Sequence, residues 1–166
     1  MLDGALQFTG TAGSASAMTD SPTTGTQQST NVLDLLNARD LGIGDDPSLE
    51  LLIEIITAFA SGTSLQVQLQ GAPDSGTGTP GTYVTMLDST AIAEASLLAG
   101  RYILATTVPR VLLPTPTGVS SAMALPRFLR LQYVTVGTHT AGALAGFIVL
   151  DRQDYVAYPP GIVIAN

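Results

Sequence analysis

The segment Ser64-Leu65-Gln66-Val67-Gln68-Leu69-Gln70 constrains the fold of this chain more than any other. Every second residue is apolar, and the intervening positions after Ser64 are glutamine. A period of two puts Leu65, Val67 and Leu69 on one face and the amides on the other, which is the pattern of a half-buried β-strand. Such a strand needs paired neighbours and an apolar layer beneath it.

Further apolar-rich segments, separated by turn-forming residues, predict strands at 31–36, 49–57, 82–87, 101–107, 128–136 and 144–151. This is the rhythm of a β-sandwich or barrel. Asp46 and Pro47 resemble a helix N-cap and first turn, but the Ile-rich stretch to Ile56 and its Gly-rich flanks favour a strand there. Ala91 to Ala99 has the propensity for a short helix. Pro73, Pro80, Pro109, Pro114, Pro116 and Pro126 fall between the expected strands, where a missing backbone donor costs nothing. No repeat of 20 to 50 residues is visible, which sets aside solenoids and propellers.

Three regions follow. Residues 1–30 read as an edge strand at Ala5-Leu6-Gln7-Phe8 and then an extended arm of Thr, Ser, Gly, Ala and Gln without a period. Residues 31–152 read as the sandwich, and 153–166 as a C-terminal tail broken by Pro159-Pro160-Gly161 and ending in an apolar stretch. At 166 residues, with 45% hydrophobic and 11% charged residues, the chain has enough apolar material for one core.

Charge narrows the partners. The chain has no Lys, six Arg and a net charge of −7, so it lacks the basic stripe that a nucleic-acid binder uses to displace counterions. Anionic lipid attracts basic clusters, and none is present. Neither nucleic acid nor membrane is an expected partner. Cysteine is absent, which fits a reducing compartment. Asp3 and the lack of a positive start are unlike a secretory signal. The longest apolar or small-residue run, Ala141 to Leu150, falls short of the roughly 20 residues of a spanning helix.

Chemical motifs are thin, and no catalytic, cofactor-binding or metal-binding residue is expected. Gly76-Thr77-Gly78-Thr79-Pro80-Gly81 spells a dinucleotide fingerprint, but Tyr83 to Leu87 after it reads as a strand where a helix is required. His139, the sole histidine, reads as a residue of an exposed turn, and no Gly-x-Ser-x-Gly elbow supports a nucleophile. One His and no Cys leave only carboxylates for a metal, without EF-hand spacing. Glu50 and Glu54 on one strand lie ~13 Å apart, beyond glycosidase spacing.

Leu2, Leu6 and Phe8 near the start and Tyr155 and Tyr158 in the tail either close the sandwich or anchor subunit contacts. Arg127 and Arg130, flanking Phe128 and Leu129, either pair internally or take carboxylates of a partner.

Several passages in order carry a resemblance: Met1 to Phe8, Ser29 to Leu35, Ala38 to Gly44, Leu98-Ala99-Gly100-Arg101-Tyr102, Pro126 to Tyr133, Thr140-Ala141-Gly142 and Phe147 to Asp151. Together they make up about a quarter of the chain. The set resembles the capsid cement, or decoration, proteins of short-tailed bacteriophages of the type found in a Bordetella phage. That resemblance implies a jelly-roll β-sandwich acting without catalysis on the outside of a virion capsid. It further implies a homo-oligomer, dimer or trimer, that bridges neighbouring major capsid protein subunits, and synthesis in the bacterial host cytoplasm. The Ser/Thr-rich arm, Pro114 to Met123 and the region after Arg152 match poorly. A tail or fibre module that recognises carbohydrate is the alternative, and a small hydrolase on a β scaffold the next.

Overall fold

The computed structural model describes residues 6–12, 14, 17–35, 49–109, 113–114, 123–124 and 126–150. The strands are β1 (Gly25–Gln28), β2 (Leu33–Asp34), β3 (Leu49–Ala72), β4 (Val84–Asp88), β5 (Ile92–Ala93), β6 (Tyr102–Thr107), β7 (Leu113–Pro114), β8 (Met123–Ala124) and β9 (Phe128–Leu150). All pairing is antiparallel, in one seven-stranded sheet and a separate β7–β8 pair. The all-β class is as the alternation predicts. The expected strands 49–57 and 64–70 are two halves of β3, and 128–136 and the part of 144–151 up to Leu150 are two halves of β9, with Asp151 outside the described residues.

β3 and β9 pair from Leu49↔Leu150 to Ala72↔Phe128. This long ladder folds over itself into a jelly-roll-like sandwich. In the first layer β6 joins the starting half of β3, with Leu52 opposite Ala105. In the second, β4 and β5 join its later half, and β1 and β2 flank β9. Leu51, Ile53 and Ile55 of one layer and Leu65, Val67, Leu69, Leu129, Leu131 and Tyr133 of the other share one core. The layers meet closely at Gly146, where a Cβ would lie 2.8 Å from Leu131 Cδ1 and 3.8 Å from Ile53 Cγ1. The missing side chain leaves room there for the Leu131 methyl of the facing layer.

The fold-over is built from bulges. The β3–β9 register shifts repeatedly between Ile55 and Ser64, and Ser61, Gly137 and Gly142 have positive φ. Each bulge bends the strand and adds twist, so the accumulated shifts turn the ladder back on itself. The expected turn at His139 is therefore a bent part of β9, and its side chain is 2% exposed rather than on the surface. Its Nε2 lies 3.3 Å from the Ser64 carbonyl oxygen, and its ring packs edge-on against Phe59 at 5.2 Å. A Cβ on Gly62 would overlap that ring, so the missing side chain makes the space that buries it.

Within the loop or arm expected at 9–30, Asp20 and β1 are instead part of an edge of the sheet. Gln7 bridges Phe147, Asp20 bridges Leu144, and β1 and β2 continue along β9 to Phe128. β9 thus has a backbone partner on both sides, which satisfies donors and acceptors that an open central strand would leave unpaired. Thr11 N donates to the Ala17 oxygen and Thr9 Oγ1 to the Met18 oxygen, which holds these residues together beside the sheet. The helix expected near 91–99 is reduced to β5 and one 3-10 turn, Glu94–Ser96, whose end places Leu97 in the core. Propensity there yields to the pairing of Ile92 with Leu65.

Candidate functional site

Two polar constellations remain once the core is assigned, one inside and one outside. Inside, the Asp20 carboxylate accepts hydrogen bonds from Gly10 N (2.8 Å), Thr30 N (3.0 Å), Thr30 Oγ1 and Tyr133 Oη (2.8 Å). Asp20 is 8% exposed and Tyr133 1%. Burial, and then the charge and hydrogen bond of Asp20, hold the Tyr133 phenol well above its ordinary pKa of 10.0. This carboxylate pins the N-terminal segment to the facing layer. Its bonds are inward, so its role is architectural.

Outside, the second layer presents the polar face that the glutamine alternation predicts. Across the strands stand Gln28, Gln132, Gln68 and Asp88, flanked by Gln66, Gln70, Thr85 and Arg130. The side chains form a network: Gln66 Nε2 donates to Asp88 Oδ2 at 2.6 Å, Thr85 Oγ1 to Gln68 Oε1 at 3.3 Å, and Arg130 Nε to Gln70 Oε1 at 2.9 Å. Arg130 reaches from β9 across Gln70 and lays its guanidinium over the Tyr83 ring, 3.6 Å from the centroid. Burial lowers the Arg130 pKa, opposed by Tyr83. The face is amide-rich, with Asp88 and Arg130 as its charged members.

At one end of this layer lies a second arginine of different character. Arg127 donates from Nε and Nη2 to the two oxygens of Asp34, each at 2.9 Å, and from Nη1 to Asp74. It also sits 4.8 Å from the Phe128 ring centroid. These carboxylates raise its pKa further above the ordinary value. Asp74 also accepts from Gly76 N and Gly78 N at 2.8 and 2.9 Å. The backbone amides of the glycine fingerprint therefore already hold an internal anion, and the loop is a capped turn before β4.

A shallow hollow of about 320 Å³ at the fold-over is lined by Ser21, Pro22, Thr23, Thr57 and residues 139–143. No group of three or more His, Asp or Glu able to hold a metal occurs among the described residues. No helix there is long and apolar enough to cross a membrane.

The model of the Bbp16 family matches residues 14–148. The chain belongs to the Bbp16 family. This is a Bordetella phage protein family. No curated protein matches the chain. The Bbp16 match runs from the Ser/Thr-rich edge segment almost to the end of β9, so both layers and the glutamine face lie inside it.

The residues singled out in the sequence separate clearly. Leu6 and Phe8 are 6% and 0% exposed and join the core, the closing role weighed for them. Arg127 is paired internally, whereas Arg130 stands on the outer face. Leu2, Tyr155 and Tyr158 lie outside the described residues, as does the tail 153–166. Sequence reasoning missed Asp20, Tyr83 and Tyr133. For Tyr133 the inward parity with Leu129 and Leu131 was a usable signal, but nothing local marks Asp20 as its partner 113 residues away.

Proposed function

We propose that this protein is a capsid cement protein, a non-enzymatic structural component bound as a homo-oligomer to the outside of a phage capsid, where it bridges neighbouring major capsid protein subunits. The observation that carries the reading is membership of a phage family by a chain whose second layer offers a rigid, amide-rich face. A sheet with both long strands paired along their length changes shape little on binding, so contact energy is not lost to ordering. Packaged DNA pushes capsid subunits apart, and a protein attached to both sides of a boundary must release one side before that boundary opens. An oligomer repeats the attachment, and effective concentration turns modest contacts into slow release. A carbohydrate module would use an open aromatic platform, whereas Tyr83 on this face is covered by Arg130.

The test mixes purified protein with undecorated capsids of the phage that encodes it, pellets them, and records the bound ratio and the temperature of DNA release. Saturation at a ratio fixed by the lattice, with release at higher temperature, is the expected result. Absence of binding at every salt concentration and in both unexpanded and expanded shells would overturn the reading.

A further inference from the structure

We propose that Arg130, held flat on Tyr83 and tethered to Gln70, is a preformed receptor for a carboxylate side chain of the protein partner. Three observations lead there. The guanidinium is positioned twice, by stacking 3.6 Å above the Tyr83 centroid and by the 2.9 Å bond from Nε to Gln70 Oε1. That leaves both terminal nitrogens without a hydrogen bond or ion pair among the described residues, although the chain carries thirteen acidic residues. Arg127, three positions earlier, shows the alternative fate, with its fork closed on Asp34.

Geometry defines the ligand class. Two terminal amino groups of one planar fork match the two oxygens of a carboxylate, and stacking fixes the plane in advance, so little side-chain entropy is lost on capture. The Tyr83 hydroxyl is buried and has no partner among the described residues, so the ring serves as the platform and the fork is the donor set for a ligand. Around them Gln68, Gln132 and Thr85 can complete polar contacts without adding charge. A polyphosphate backbone is a poor fit, since a net charge of −7 repels it and the fork is a single cation. The partner surface therefore presents an Asp or Glu here. The identity of that partner as capsid rests on the cement reading, whereas the carboxylate receptor does not.

Two measurements on the full chain separate them. In the first, undecorated capsids are titrated with the parent protein, Arg130→Gln, Arg130→Lys and Arg127→Gln. Arg130→Gln is expected to weaken binding about ten- to a hundred-fold, with Arg130→Lys in between and both variants folded and melting closer to the parent than Arg127→Gln. If the parent binds and Arg130→Gln binds equally, the receptor proposal fails while cementing stands. In the second, the Arg130 Nε–Hε NMR signal, assigned by its loss in Arg130→Gln, is followed as chloride is replaced by acetate at constant ionic strength. A shift confined to Arg130 supports the receptor even if capsids are not bound, in which case only the cement reading falls. With no capsid binding and no acetate-dependent shift, the receptor is overturned as well.

Discussion

The two halves of β3 teach different lessons about burial. In the first, Leu51, Leu52 and Ile53 are buried in succession, and on the paired half of β9 so are Ala145, Phe147 and Ile148. In the second, Leu65, Val67 and Leu69 are buried while Gln66 and Gln68 are half-exposed. Consecutive apolar residues mark a strand covered on both faces, and alternation marks one face in water. One strand thus belongs to two environments, and the change occurs at the bulged fold-over. The first layer is closed to solvent at Leu52 and Phe147, whereas the second layer presents its amides to solvent.

The contrast is sharpest under truncation. Phe147→Ala is expected to cost about 3–5 kcal/mol, because its ring is buried at 7% exposure although it points away from the shared core. Gln132→Ala at the middle of the second layer is expected to stay within about 0.5 kcal/mol. Urea denaturation of both variants checks this. Comparable losses would mean that the amide network is as structural as the apolar face, and the comparison would break.

A second test concerns the interior knot that ties the layers together. Tyr133→Phe removes one of four donors to a buried carboxylate and is expected to cost about 1.5–3 kcal/mol in urea denaturation. The same variant should remove a late-ionising phenol from an alkaline absorbance titration, because Tyr133 is held well above 10.0 by its burial and by Asp20. The sign for stability follows: a raised phenol pKa favours folding below pH 10 and loses that contribution as pH rises through the folded value.

How much of this was legible depended on range. The alternation at Ser64–Gln70 predicts both the inward Leu65, Val67 and Leu69 and the outward glutamines, because period two is a local property of the strand. The turn reading of His139 failed because Gly137 and Gly142 look like turn residues, whereas here they bend one continuous strand around a buried imidazole. The unpatterned residues 9–30 concealed an edge, since pairing with β9 is supplied by backbone groups that no side-chain period reveals. Arg127 and Arg130 are indistinguishable by local sequence. Their difference comes from Asp34 and Asp74 on one side and Tyr83 and Gln70 on the other, all distant in the chain.

That difference gives a smaller effect to measure. Arg127→Gln breaks the link among β2, the 73–81 loop and the start of β9, and is expected to lower the melting temperature by a few degrees. Arg130→Gln removes no ion pair, only the bond to Gln70 and the stack on Tyr83, and should lower it less. Equal melting shifts in the two variants would make Arg130 a structural residue like its neighbour.

The smallest effect is expected at acid pH. Asp74 is held below its ordinary pKa of 3.8 by the Gly76 and Gly78 amides, with a further contribution from Arg127. Asp88 is held below 3.8 by Gln66, then by the Thr90 amide and Gln68. A depressed carboxyl pKa stabilises the fold at pH above the unfolded value, and that contribution disappears as pH falls below 3.8 through the folded values. Stability between pH 5 and pH 2 should therefore decline, and the decline should be shallower in Asp74→Asn and in Asp88→Asn. Because Asp74 anchors the loop held by Arg127 and Asp88 anchors the amide face, the two variants separate the regions by pH alone. An unaltered slope in Asp88→Asn would mean that the outer network is as loosely coupled to folding as the truncation of Gln132 is expected to show, whereas an unaltered slope in Asp74→Asn would remove the Arg127 knot from the stability of the second layer.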